Sequence, residues 1–422
     1  MVRQYVRVLV CLAICFGVSS LLAETTDKQV DWPGWLGPDR NGWVEYFQTP
    51  DAWPQKLKQG WQAKVGIGYA TPLVVDGLVY QYARQGEDEV LWCFELESGK
   101  QVWRKSYAVP FTMGQGGEWH GKGPKGAPIY ADGRLFTMSI SGILSAWNAE
   151  NGEQLWSKDY NERFEKPKST PYWGAATSPI VAGDRVVVHF GNDNRGVLVA
   201  FNVETGDEIW SQPKDAPSYS SPLLVEKQGV KQIVEWNHRA VVGIDTKTGK
   251  QLWEFPFPHV ETNQNMPTPS WHNGRVFVGG ENRGVRSVEP VLDGSVWTVK
   301  ENWHQKDVAL DMASAIVNGD YLYGLSHYQK GRLFCIDTNT GDVLWQGKPR
   351  AGSNATFLSI PGQIIVLNDR GELQVIKADG EDSKSVANYQ VSEESTWAAP
   401  VLLGDGFLIK DHETLTRWSW GN

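Results

Sequence analysis

Cysteine is nearly missing from this chain. Four occur in 422 residues, and two of them, Cys11 and Cys15, fall within the first 23. Cys93 and Cys335 remain, too few for a disulfide scaffold, so the fold must be held by its core. Positive charge is also short. Forty Lys and Arg stand against 49 Asp and Glu, a formal charge of −9, and −11 (38 against 49) once Arg3 and Arg7 are set aside with the N-terminal segment. A chain this acidic lacks the field that draws in a phosphate backbone, which excludes a nucleic-acid partner. Beyond residue 23 no apolar run approaches 18 residues, which excludes a transmembrane helix in the rest of the chain. Catalytic signatures are absent too: there is no Gly-x-Ser-x-Gly, no His-Glu-x-x-His, no His-x-His and no Cys-x-x-Cys-His.

Residues 1–23 have a short basic start, an apolar run from Val8 to Val18 and a Ser-Ser-Leu-Leu-Ala ending. This is the three-part pattern of a secretory leader, with cleavage expected after Ala23 and an exported, periplasmic or envelope location. The apolar stretch is short for a membrane span, and Ile14 and Val10 before the two cysteines disfavour a lipid anchor. Residues 24–59 form a lead-in, and 60–422 read as one domain.

What the sequence has in excess is Trp (21), Gly (44) and Pro (22), and these recur in register. Gly-x-x-x-Trp closes five segments: Gly99–Trp103, Gly152–Trp156, Gly206–Trp210, Gly249–Trp253 and Gly341–Trp345. Alternating runs such as LWCFEL, ILSAWN and LFCID precede them, and further upstream lie apolar pairs around Asp-Gly or Gly-Asp, as in ATPLVVDGLVY and GAPIYADGRLF. Period-two alternation between tight-turn dipeptides predicts four short antiparallel strands per unit. Weaker units end at Trp297, near Tyr389 and after 398–419. The spacings between the Trp residues from 103 to 345 are 53, 54, 43, 44 and 48, the period of propeller blades. The last unit has only three strands, and GWQAKV (60–65) is a strand with no unit of its own. The expected fold is therefore all-β: an eight-bladed β-propeller of four-stranded antiparallel blades, closed by pairing the N-terminal strand with the last blade. Each Trp is expected to cover the flank of the next blade. Cys93 and Cys335 take the same third-strand place as Ala146, Ala200 and Gly243, so they are expected to be small packing residues, reduced and three blades apart.

The units resemble the PQQ-binding-like β-propeller repeat family, on the Ala-Trp/Phe-Asn or Cys-Ile-Asp strand ending, the Thr-Gly-Lys/Asp turn and the Trp. The likeness covers roughly residues 60–420, and DWPGWLGPDRNG (31–42) looks like the W-P-x-W-x-G-P-x-R-x-G opening of exported members. The resemblance implies a BamB-like exported scaffold or a PQQ-dependent quinoprotein oxidoreductase of the alcohol dehydrogenase kind, in a family that also holds many exported proteins of unknown role. The quinoproteins carry a vicinal cysteine pair at the cofactor, which this chain lacks. The expected function is thus a non-catalytic binding module with no cofactor. PQQ is the alternative, and an exported carbohydrate-binding or hydrolytic propeller the third reading.

Phosphate-loop lookalikes in GGEWHGKGPKGA (116–127) run into a strand where a helix is required, and GNDNRG (191–196) reads as a hairpin turn. The connections between blades carry more. Two are long, 104–126 and 157–177, and in a propeller such segments gather at one mouth of the channel. They bring Trp119, His120 and Lys125, then Tyr172 and Trp173. Segments leading into other blades add Tyr219, Asn265, Asp311, Asn354 and Trp397. Arg104, Lys105, Lys122 and Lys125 against Glu118 give the first loop +3. Trp119, His120, Lys125, Trp173, Tyr219, Asn265 and Asp311 are therefore the candidate site. They are suited to an envelope protein or peptide, or to a small anionic or planar ligand, bound by a monomer. The bland alternative is that the same residues only plug the channel.

Overall fold

The computed structural model describes residues 31–114, 116–164, 171–260 and 264–421; the leader expected at 1–23 lies outside the described residues. Eight four-stranded antiparallel sheets make eight blades. The strands of each blade are termed a to d from the channel outward. In blade one they are Leu73–Val75, Leu78–Gln85, Asp88–Glu95 and Gln101–Ala108. The a–b turns carry the signal read from the dipeptides. Asp76-Gly77 and Asp132-Gly133 have both residues at positive φ (49° and 74°, 46° and 75°), the tight hairpin geometry that matches strand twist. No helix among the described residues is long and apolar enough to cross a membrane.

Blade eight is closed as expected. Val401–Leu403, Gly406–Lys410 and Thr414–Ser419 are completed by Lys58–Lys64, with Lys58 opposite Ser419 and Lys64 opposite Thr414. The ring therefore has no bare sheet edge at its seam.

The Trp repeat is a relay between blades. The indole Nε1 of Trp103 donates to the Ala149 carbonyl (3.1 Å), that of Trp156 to Val203 (3.4 Å), and that of Trp210 to Thr246 (3.2 Å). Trp61 on the N-terminal strand does the same to Leu96 (2.7 Å), which locks the seam. Each ring lies against the Gly of the next c–d turn. A methyl group at Gly152 would come within 2.7 Å of Trp103, and one at Gly206 within 2.8 Å of Trp156. Those glycines are thus needed both for positive φ and for the close approach of the previous blade's Trp. Opposite each Trp, on strand c, stands a small residue: Cys93, Ala146, Ala200, Gly243 or Cys335. Both cysteines are free and buried, and burial pushes each thiol up to about 12.

Blade five corrects one expectation. Its c and d strands are long, Gly284–Asp293 and Val296–Gln305, and Trp297 lies out near the hairpin tip opposite Leu292. The docking residue is Trp303. It stands opposite Ser287, donates to the Thr338 carbonyl (2.9 Å) and sits against Gly341. The relay also has gaps, since Trp253 donates to Gln232 within its own blade.

A second belt lines the channel. The backbone N–H of Ala127 donates to the Ser178 hydroxyl, Ser178 to Ser221, Ser221 to Thr268 and Thr268 to Ser314, all at 2.9–3.0 Å. Across the seam, Ala399 donates to Thr71 (3.2 Å). Proline follows Thr71, Ser178, Ser221 and Thr268. It holds the preceding residue extended, so that its hydroxyl faces the neighbouring blade.

The lead-in is part of the ring. Trp32, fully buried, pairs with Val74 of blade one, and the Pro33 carbonyl accepts from Tyr130 of blade two. Arg40 reaches the residues that precede the a strands of blades three and four, and Trp43 bridges to Ser359 of blade seven. The segment thus spans the channel near the a–b turns. Trp32, Val44 and Phe47 join the core that unites blades seven, eight and one.

Candidate binding mouth

The d–a connections and the b–c turns share the opposite mouth. The first long loop is shorter than the sequence suggested, because strand d of blade one continues to Ala108. Arg104 and Lys105 are therefore strand residues, and Arg104 is held beside Trp92 and Gln85. The loop proper keeps Lys122 and Lys125 against Glu118, and Lys122 lies 3.5 Å from Glu87. The expected +3 shrinks accordingly.

What the loop does build is an aromatic cage. A short 3-10 turn, Glu118–His120, presents Trp119 and His120 to Tyr69 of blade one and Trp397 of blade eight. Tyr69 and Trp397 are stacked at 5.3 Å. His120 meets the edge of Trp397 at 4.9 Å and hydrogen-bonds the Tyr69 hydroxyl through Nδ1 (3.2 Å). Lys125 Nζ lies 5.8 Å from the Tyr69 ring, and its one hydrogen bond among the described residues goes to the Gly121 carbonyl (3.3 Å). Burial pulls its ammonium down to about 8. His120 is drawn down to about 4, by burial first and then by Lys125, so the imidazole is neutral at pH 7. Burial also lifts the Tyr69 phenol to about 12. Trp119 caps this cage with 63% of its surface exposed.

Trp173 and Tyr219 form a second group, stacked at 5.8 Å, with the Trp173 N–H on the Tyr219 hydroxyl (3.0 Å). The two groups touch through the loop. Gly117 packs on the Trp173 ring and Gly114 on Tyr172, which is itself half exposed. The loop that carries Trp119 and His120 thus links Tyr69 and Trp397 to Trp173 and Tyr219, and together they make an aromatic rim.

The remaining candidates are separate. Asn265 is fully buried; its side chain donates to the Asn237 carbonyl (2.7 Å) and accepts from Arg283 (2.8 Å), while its own carbonyl takes the Tyr219 N–H. It is a strap beneath the rim and has no free face for a ligand. Asp311 lies further round near Glu281 and His327, its carboxyl raised by burial and by the Glu281 charge. Asn354 is buried, and its carbonyl accepts from Asp369.

Two polar groups near this face were not anticipated. Glu89, fully buried, accepts from the Tyr82 and Tyr107 hydroxyls and from the Ile140 N–H, stapling blade one to blade two. His189 of blade three pairs with Glu235 of blade four, and the His238 and His259 rings lie 4.6 Å apart beyond them. A charged residue placed where strand alternation calls for an apolar one is the signal that marks Glu89 and Glu235. No group of three or more metal-ligating side chains exists among the described residues.

Residues 87–347 match the model of a family described as outer membrane protein assembly factor BamB. Among curated relatives, the BamB of Burkholderia pseudomallei is 25% identical over 350 residues, 74% of this chain and 85% of that one. The BamB of Shewanella oneidensis is 22% identical, over 68% and 71%. A quinohemoprotein alcohol dehydrogenase from Pseudomonas putida is 28% identical, but over only 37% of this chain and 21% of its own length. Among solved structures, BamB from Moraxella catarrhalis superposes with a TM-score of 0.61 at 14% identity, over 86% of this chain and 97% of that one. Quinohemoprotein alcohol dehydrogenase from Comamonas testosteroni gives 0.68 at 13%, over 93% and 81%. At such identities these superpositions speak for the fold alone.

Proposed function

The chain belongs to the family described as outer membrane protein assembly factor BamB, and from that premise we propose that it is an exported, non-catalytic binding scaffold, a monomer that grips a segment of an envelope protein at the aromatic rim. The observation that carries this reading is the exposure of two aromatics, Trp119 (63%) and Tyr172 (51%), on one mouth; Tyr46 of the lead-in (80%) is the one other exposed aromatic among the described residues. Exposed aromatics backed by a fixed cage bind at low entropic cost, because the rings behind them are already ordered. Lys125 and neutral His120 add one donor each for the carbonyls or carboxylates of an extended chain.

A quinone cofactor finds little to hold it there. PQQ is planar with three carboxylates and needs a free aromatic face with several unpaired basic groups. Trp173 is stacked on Tyr219, Lys122 lies beside Glu87, and Arg283 is spent on Asn265 and the Pro258 carbonyl. The two cysteines stand in separate blades. The donor set does not fit the group.

The test is affinity capture from envelope extract with the full chain and with its Trp119→Ala and Tyr172→Ala double variant, read by quantitative mass spectrometry. The reading expects a defined protein enriched by the parent chain and lost with the double variant at unchanged melting temperature. Identical capture by both would place the binding surface elsewhere.

A further inference from the structure

The other mouth carries a built cavity. The lead-in does not fill the channel where it crosses. Between Leu36–Trp43 and the a strands of blades three to six lies a cavity of about 680 Å³, within the size range of small-molecule sites. Its lining includes apolar Val181, Leu224 and Val317 and polar Ser270 and Asn318. Arg40 lines it and is 95% buried, at 5% exposure.

Arg40 differs from the other buried arginines. Arg84 is paired with Glu87, and Arg417 with Glu97 and Asp405. Arg40 has no carboxylate partner among the described residues. Its Nη1 donates to the Pro179 carbonyl (2.9 Å) and its Nη2 to Pro222 (3.3 Å), while its Nε is buried without an acceptor. Burial alone pulls it down to about 10. The backbone is bent to deliver it: Arg40 itself has φ 54°, between Gly37 at 83° and Gly42 at 70°, a conformation that disfavours any residue with a Cβ. An uncompensated buried cation is costly, and the cost is recovered when an anion completes the pair.

We propose that this cavity binds a small organic monocarboxylate, its carboxylate meeting the Arg40 guanidinium and its apolar body lying against Val181, Leu224 and Val317. The rim sets the charge count. Asp39 and Glu226 are exposed there and have no ion pair among the described residues, so a ligand with a second anionic group is repelled at the opening. This site is independent of the aromatic rim, and the two readings stand or fall separately.

The experiment is fluorine NMR on the full chain with para-fluorobenzoate, and with the neutral para-fluorobenzamide and the dianionic fluorophthalate as comparators. The benzoate line is expected to broaden on adding protein, with the amide and the dianion leaving it at least about ten-fold weaker, the scale of one charge-assisted contact. Arg40→Gln is expected to abolish the broadening, as is Leu224→Trp, which keeps Arg40 but fills the exposed wall; Trp119→Ala is expected to retain it. If Arg40→Gln does not fold, Leu224→Trp decides. Equal broadening by the amide, persistence of benzoate broadening in Leu224→Trp, or no broadening at millimolar probe overturns the proposal.

Discussion

The two ends of the channel are finished in different ways. At the a–b end a segment of chain enters the ring, buries Trp32 completely and joins the core of three blades. At the d–a end the cover is grown locally, from loops on blades one and two, and its outermost rings face solvent. The first finish is continuous with the strand that closes blade eight, so sealing and closure are one feature. The second can be altered without touching a blade. The difference teaches where change is tolerated: a loop cover is free to be shaped by what it binds, while a lead-in woven into the sheet is constrained by stability.

The sharpest way to break this comparison is to remove the lead-in with its strand. Deleting 24–66 takes away Trp32, Trp61 and the outer strand of blade eight. Aggregation or loss of a cooperative melt is expected, checked by light scattering and calorimetry. A normal melt would mean the lead-in is an accessory. Next in size is Trp32→Ala, expected to cost about 3–5 kcal/mol in chemical denaturation as a fully buried Trp truncated to Ala. At the other mouth Trp173→Ala, half-buried on Tyr219, is expected to cost about 1–3 kcal/mol, and Trp119→Ala under about 0.5 kcal/mol. If Trp119→Ala costs as much as Trp32→Ala, the rim is a structural plug and the contrast fails.

The smallest effect expected is on pH. His120 has a folded value near 4, below the ordinary 6.5. The unfolded or opened loop therefore binds more protons than the closed one between these limits, and closure weakens as pH falls from about 6.5 towards 4. The protection of the Gly117–Gly121 amides, their exchange rate relative to the intrinsic rate at each pH, is expected to fall over that window, and to lose the dependence in His120→Gln. At the a–b mouth His272 is also drawn below its ordinary value, by burial first and then by Arg275, so protection around it is expected to fall in the same direction.

The architecture was legible because each blade repeats the same local chemistry. Asp-Gly turns, small residues opposite Trp and Gly at the c–d turn are all properties of neighbours in sequence. The misplacement at Trp297 shows the limit of that reading: Gly294 stands three residues before it, not four, and the irregular spacing was the mark of a hairpin that runs on past the docking position. The Ser/Thr belt was visible only as small residues before Pro, since its partners lie one blade away. Of the candidate site, Trp119, His120 and Lys125 lie together because one short loop carries them. Tyr69, which completes the cage, was missed for lack of any local peculiarity. Asn265 was drawn in by position alone, and its burial as a strap depends on Arg283 and Asn237, which no spacing relates to it. Arg40 was read only as part of a motif, and that it lies buried without a carboxylate partner emerges only from the ring that surrounds it.

The seam in blade eight has a consequence for how the molecule is made. Lys58 and Ser419 are hydrogen-bonded across 361 positions of chain. The first strand to leave the ribosome must wait for the last, and seven blades can form as local hairpin stacks before the eighth exists. Until then Lys58–Lys64 presents an unpaired backbone edge, the Trp61 indole has no blade to rest on, and residues of the lead-in that belong to the shared core are exposed. Closing so long a loop is entropically slow compared with building any single blade. Any form of the chain in which this seam is unpaired has two open sheet edges, the hazard that the closed ring removes.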